Sequence, residues 1–187
     1  MATDAPTAQN FANHTQQLPP LYTAAALVLA RRFAAGATMW CVSPAWPSHG
    51  RHVAVEFMHP VIVGKRALPA LAPSNDPTAA STLSRLARPD DIALALSHGG
   101  RDPALARFVE AARAKGLLTI EMTGTSPEAT EKIFEPPPPA DHLFAVRSDD
   151  PAIVQEVQET AYHVLWELVH VFFEQPGLLD DRAEACI

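Results

Sequence analysis

His52 and Glu56 stand four residues apart, a spacing that sets an imidazole nitrogen and a carboxylate oxygen on one side of a helix, where both can reach a single ion. The H-x3-E pattern carries little alone, because solvated or helix-capped pairs share it. A third candidate, His163, lies in the apolar stretch AYHVLWELV, where a lone histidine is more often a satisfied core residue than a ligand. His59, His98, His142 and His170 have no comparable support, and His98 is read as a loop residue after an apolar run.

Positioning these groups requires a scaffold, and the chain alternates apolar runs with amphipathic ones. Leu21 to Ala35 reads as a helix, with Arg31 and Arg32 in its last turn and Gly36 as its stop. Thr38 to Val42 reads as a first buried strand. SPAWPSHG is a proline-interrupted loop, leaving a helix over Arg51 to Met58 that ends ahead of Pro60. A short strand near Pro69 to Ala72 and a helix over Thr78 to Leu86 follow. Asp91 to Ser97 is a continuous apolar run suited to the middle of a parallel sheet. Asp102 as N-cap and Pro103 at the first helical position open a helix to Lys115, closed by Gly116. Leu117 to Met122 is the next strand, Ser126 to Phe134 a short helix, the prolines 136–139 a stiff spacer and Leu143 to Val146 a last strand. The helix from Asp150 to Glu174 is apolar on more than one face and needs burial on several sides. Repeated βα units predict an α/β, doubly wound, mostly parallel five-stranded sheet flanked by helices.

A chain of 187 residues fits a single domain, 1–187, with residues 1–20 an N-terminal arm or helix and 176–187 a loose tail. Its 48% hydrophobic and 19% charged residues are those of a globular protein. No apolar run reaches the roughly 18 residues of a membrane span, and MATDAPTAQN has no signal-peptide pattern, so a cytoplasmic protein is expected. Two cysteines, Cys41 and Cys186, exclude a disulfide framework and a cysteine zinc cluster. A net charge of −7 without a basic stripe gives no reason to expect nucleic acid.

The segment ALSHGGRDPALARFVEAARAKGLLTIEMTG resembles the strand, glycine turn, helix and strand of the sugar-isomerase (SIS) family. AAGATMWCV is similar to the first strand of its phosphoheptose isomerases, and QETAYHVLWELVHVF to their C-terminal interface helix. Over about residues 21 to 174 the resemblance implies the SIS fold, aldose–ketose isomerisation and a zinc or other divalent transition-metal cofactor. It implies His52, Glu56, Gln155 and His163 as the metal set, with Glu56 and His163 also catalytic in proton transfer. Gln155 and His163 lie eight residues apart in QEVQETAYH, a rise of about 12 Å on a straight helix. A site shared between subunits is therefore expected, in a homodimer or homotetramer whose interface uses the last helix.

The phosphate-binding turns depart from the family pattern. Where the family has Gly-Asn-Gly-Gly-Ser, this chain reads VSPAW, without glycines and with Pro44 removing an N–H. Where the family has a Ser-Thr-Ser-Gly-Asn-Ser-type turn, this chain reads SHGGRD. Ser97 keeps one hydroxyl, Ser48 and Arg101 are candidates to compensate, and Asp102 stands where a phosphate would meet the helix N-terminus, serving either as a cap or in repulsion. Ser97, Ser48, Arg101 and Asp102 are accordingly the candidate substrate-binding residues. The expected function is a metal-dependent phosphoheptose-isomerase-like enzyme on a sugar phosphate or a related sugar-like substrate. The alternatives are a non-catalytic SIS module binding a partner protein or sugar derivative, and a metalloprotein with unrelated chemistry.

Overall fold

A computed structural model describes residues 20–73, 78–99, 103–125 and 140–179. The order of elements is α1 (Pro20–Ala34), β1 (Met39–Val42), α2 (Pro47–Met58), β2 (Ala70–Leu71), α3 (Ala79–Leu86), β3 (Ile92–Ser97), α4 (Pro103–Ala114), β4 (Leu118–Thr125), β5 (His142–Arg147) and α5 (Pro151–Glu174). The strands form one five-stranded sheet in the order β2-β1-β3-β4-β5. Every strand pair in it is parallel, so the expected mostly parallel sheet is parallel throughout its described strands.

Alternation along the strands divides the core into two layers. Met39, Cys41, Ile92, Leu94, Leu96, Leu118, Ile120 and Met122 pack with α1, α2 and α5 on one face. Trp40, Val42, Ala93 and Ala95 pack with α3 and α4 on the other. Both faces are covered, which is why β3 reads as the uninterrupted apolar run IALALS. Asp91 pins the strands at their amino ends: its carboxylate accepts from the Thr38 and Arg88 backbone N–H groups, each at 2.9 Å, and from the Trp40 indole at 3.2 Å. Burial alone would raise its pKa, but these donors and the Arg88 charge hold it below the ordinary carboxylate value.

Three boundaries differ from the sequence reading in ways that matter for the site. The second helix begins at Pro47 and not at Arg51. Proline lacks only an N–H that the first helical turn leaves unbonded in any case, so Pro47 opens the helix instead of interrupting a loop. Ser48 and His49 thereby become helical residues. Strand β4 runs on past Met122 to Thr125, because Thr123, Gly124 and Thr125 pair with Ala145, Val146 and Arg147. Part of the expected loose tail is ordered: Pro176–Leu178 form a 3-10 turn, and the Leu179 carbonyl accepts from Arg31 Nε at 3.2 Å. The N-terminal arm before Pro20, the helix expected over 126–134, the prolines 136–139 and the tail from 180 lie outside the described residues.

The apolar girth of α5 is largely used within the chain. Leu165, Trp166, Leu168, Val169 and Phe172 join the core shared with α1, α2 and the sheet, while Ile153 and Val157 stay exposed.

Gly124 is where β4, the turn after β3 and α5 come closest. A Cβ there would overlap the His98 carbonyl oxygen and stand 2.7 Å from Val154 Cγ2. Gly124→Ala is expected to destabilise by about 1–3 kcal/mol through overpacking, at roughly 2–4 °C of melting temperature per kcal/mol for a chain of this size. Gly99→Ala, which meets nothing within 4 Å, is the matched control; thermal melts of the two variants decide.

Candidate functional site

In this strand order the connection from β1 leaves toward β2 while β3 lies on the other side of β1. The crevice at the carboxyl ends of β1 and β3 is thus the topological switch point, where open α/β sheets place ligands. Helix α2 enters directly after β1, and its first turn lies close against the strand end: a Cβ on Gly50 would stand 3.2 Å from the Ser43 nitrogen.

On α2, one turn apart, His52 and Glu56 face the same way. His52 Nε2 lies 3.7 Å from Glu56 Oε1, and His163 Nε2, arriving from α5, lies 3.5 Å from Glu56 Oε2. One carboxylate therefore stands between two imidazoles from different helices of a single chain, with Glu56 about a quarter exposed and both imidazoles about half exposed. Three of the four expected metal residues thus meet within one chain. Gln155 is placed differently. Its side-chain amide donates to Glu159 Oε1 at 3.0 Å, one turn along α5. The eight-residue rise along an unbroken helix is the physical reason.

Zinc takes ligand atoms at roughly 2.0–2.2 Å in a tetrahedron, which separates neighbouring donors by roughly 3.3–3.6 Å. The two Glu56 contacts are close to that spacing and longer than charge-assisted hydrogen bonds. Among the described residues no group of three or more His, Cys, Asp or Glu side chains is already arranged to hold an ion. The donor types fit a divalent transition metal, and a finished ligand shell is not drawn.

The candidate substrate residues separate. Ser97 is buried at the end of β3, where its carbonyl accepts from Gln158 Nε2 at 2.8 Å. Ser48 is exposed in the first turn of α2. Arg101 and Asp102 lie outside the described residues.

A second polar group, absent from the sequence reading, adjoins the first. His98, taken there as a loop residue, is buried, and its Nε2 lies 3.0 Å from Nδ1 of buried His49. It stands in the turn after β3, as expected. The Trp46 and His98 ring centroids are 5.1 Å apart. Tyr162 stands between the two groups, with ring centroids 5.9 Å from His49, 6.3 Å from His52 and 4.7 Å from His163. Among the described residues its buried hydroxyl has no hydrogen-bond partner, and neither have Ser43 Oγ, His49 Nε2, His98 Nδ1 and Gln158 Oε1. An unsatisfied buried polar atom costs about 1–3 kcal/mol, so such a concentration at a switch point has the character of a binding site. Burial, with Glu159 and Glu56 nearby, pushes the Tyr162 phenol above its ordinary value and keeps it an uncharged donor. The signal that would have found His49 is its i, i+3 relation to His52 once Pro47 is read as a helix start.

No protein-family model matches the chain. Its sequence is 29% identical over 182 residues to the phosphoheptose isomerase of Solidesulfovibrio magneticus, covering 89% of this chain and 84% of that protein. It is 30% identical over 157 residues to the phosphoheptose isomerase of a Synechocystis species, covering 76% of this chain and 78% of that one. Among solved structures, a phosphoheptose isomerase from Francisella tularensis superposes with a TM-score of 0.66 at 21% identity, over 87% of this chain and 91% of the other. That likeness speaks for the fold.

Burial, reinforced by His98 and opposed by Glu159, lowers the His49 pKa to about 4. An unfolded histidine titrates near 6.5, roughly, so between these values the unfolded chain binds the additional proton. The contribution of neutral His49 to stability is present above the unfolded value and is lost as pH falls toward the folded one. Melting temperatures measured from neutral pH down to about 4.5 are expected to fall less steeply in His49→Asn than in the unsubstituted protein.

Proposed function

The chain belongs to the phosphoheptose isomerase family of SIS proteins, and from that premise we propose that it interconverts an aldose and a ketose, acting on a sugar phosphate or a related sugar-like substrate. The observation that carries this reading is the Glu56 carboxylate set between His52 and His163.

Such an isomerisation moves one proton between adjacent carbons and another between their oxygens, through an enediol. Glu56, acceptor-only when ionised, is the group to remove the proton from the carbon beside the carbonyl and to return it to the neighbouring carbon. His163, on the far side of the carboxylate, is the group to protonate the carbonyl oxygen as the enediol forms and to take the proton from the other oxygen as it collapses. Tyr162, adjacent to both, offers a neutral O–H to the oxygen on which charge develops. The half-exposed imidazoles leave this edge of the site open to a small polar molecule.

His52, Glu56 and His163 are the residues that would hold zinc or another divalent ion, with Gln155, about 12 Å along the helix from His163, able to join such a set only from a second subunit. When bound, such an ion supplies electrostatic stabilisation of the substrate oxygens. The last helix remains the expected contact in a homodimer or homotetramer, now through its exposed Ile153 and Val157. Among the described residues no helix is long and apolar enough to cross a membrane.

Purified protein is expected to convert a ketoheptose or its phosphate to the aldose isomer. Glu56→Gln should lower kcat by at least about a hundredfold, the lower range for removal of a positioned acid or base. His52→Ala and His163→Ala should each lose transition metal measured by atomic emission after dialysis. Turnover unchanged in Glu56→Gln would remove the assignment.

A further inference from the structure

The chain has three tryptophans, and they are not alike. Trp40 and Trp166 are 5% and 8% exposed and belong to the two layers of the core, whereas Trp46 is 44% exposed. Nothing in the local structure requires an indole there. Trp46 is the N-cap residue of α2, a position at which Ser, Thr, Asp or Asn satisfies a free N–H of the first turn. Its side chain makes no capping hydrogen bond. The backbone closes the turn instead: the Trp46 N–H donates to the Ser43 carbonyl at 3.2 Å, and the His49 N–H to the Trp46 carbonyl at 2.9 Å.

The indole reaches across the crevice. It is carried by the turn after β1, and its ring centroid lies 5.1 Å from that of His98 in the turn after β3, with the two planes inclined by 55°. Those two turns flank the switch point. Beyond His98 the rings continue toward the proposed reaction centre, with centroids 5.1 Å apart from His98 to His49, 5.9 Å from His49 to Tyr162 and 4.7 Å from Tyr162 to His163. The three middle rings belong to buried residues, so the row meets solvent at its ends, at Trp46 and at His163.

A sugar has polar edges and faces made of C–H groups. Those C–H groups are polarised by the oxygens on their carbons, and they match the flat, electron-rich face of an indole. Small-molecule clefts are lined in this way, by aromatic surface with a few polar groups that fix orientation. The lengths agree. Trp46 and Glu56 stand at the start and near the end of α2, about 15 Å apart in helical rise, and the Glu56 side chain leans back toward the helix start. A six- or seven-carbon sugar phosphate is about 10 Å long when extended, at bond lengths of roughly 1.5 Å.

We propose that Trp46 is a substrate-binding residue, its indole packing against the C–H face of the sugar carbons remote from the reacting pair while the reacting end lies at Glu56 and His163. This rests on the reading that isomerisation takes place at those two residues. The contact is apolar and independent of the phosphate, so it adds to the binding of a sugar phosphate through the carbon chain alone. Trp46 touches no reacting atom, and its contribution is the same in the bound substrate and in the transition state. Its loss therefore weakens binding and leaves kcat in place.

The test uses sedoheptulose 7-phosphate as the probe and acrylamide quenching of tryptophan fluorescence as the first readout, since Trp46 is far more exposed than Trp40 and Trp166. In the unsubstituted protein the saturating sugar phosphate should lower the quenching constant, and inorganic phosphate at the same concentration should not. Trp46→Ala, with folding checked by circular dichroism, should bind the sugar phosphate about five- to tenfold more weakly by calorimetry, the contribution of one aromatic contact, with kcat unchanged. Trp46→Phe should recover most of the affinity. Quenching unaltered by the bound sugar phosphate, equal shielding by inorganic phosphate, or undiminished affinity in Trp46→Ala overturns the proposal. If the unsubstituted protein isomerises the sugar phosphate while Trp46 stays unshielded, the contact fails and the isomerase reading stands. If Trp46 is shielded and the metal-loaded protein converts nothing, the isomerase reading fails and the contact stands.

Discussion

Glu56 presents one carboxylate oxygen to an imidazole of its own helix and the other to an imidazole of α5, and this contact depends on both helices lying on the same face of the sheet. That arrangement follows from the division of the core. Val53, Ala54 and Phe57 on α2, together with Ala161, Tyr162 and Leu165 on α5, pack into the layer shared with Met39, Cys41, Leu94 and Leu96. His52 and Glu56 are carried on the first of these helices and His163 on the second. Fixing them on helices anchored by buried apolar residues holds their relative positions more closely than loops would.

The same packing produces the polar group beside them. Because α2 starts directly after β1 and approaches it through Gly50, His49 is carried to the strand ends, where the turn after β3 supplies His98. Gly124 permits the approach of that turn to α5. The strand ends thus carry the buried imidazoles of His49 and His98, while Glu56 lies farther along α2.

Much of the scaffold was legible in the sequence because its signals are local. The apolar run at β3, the stop at Gly36 with its positive φ, and the Pro103 start of α4 each predict their element from nearby residues. His52 and Glu56 were legible for the same reason, as one turn of helix. What failed was long-range or turned on a single proline. Reading Pro47 as a loop residue hid His49, and nothing local to His98 announces a partner 49 residues away. The meeting of Glu56 with His163 within one chain depends on the placement of α5 across the sheet, which periodicity does not specify. The breadth of apolar surface on α5 was an ambiguous signal, since burial by α1 and the sheet and burial by a second subunit leave the same pattern in sequence.

The central claim is that Glu56 moves a proton between adjacent carbons of a bound sugar, and its most direct measurement is solvent hydrogen exchange. Incubated in D2O with the aldose or ketose it binds, the protein should introduce deuterium at the carbon beside the carbonyl, seen by proton NMR as the loss of that carbon's signal, and Glu56→Gln should not. Binding of the sugar without any exchange by the unsubstituted, metal-loaded protein would contradict the account.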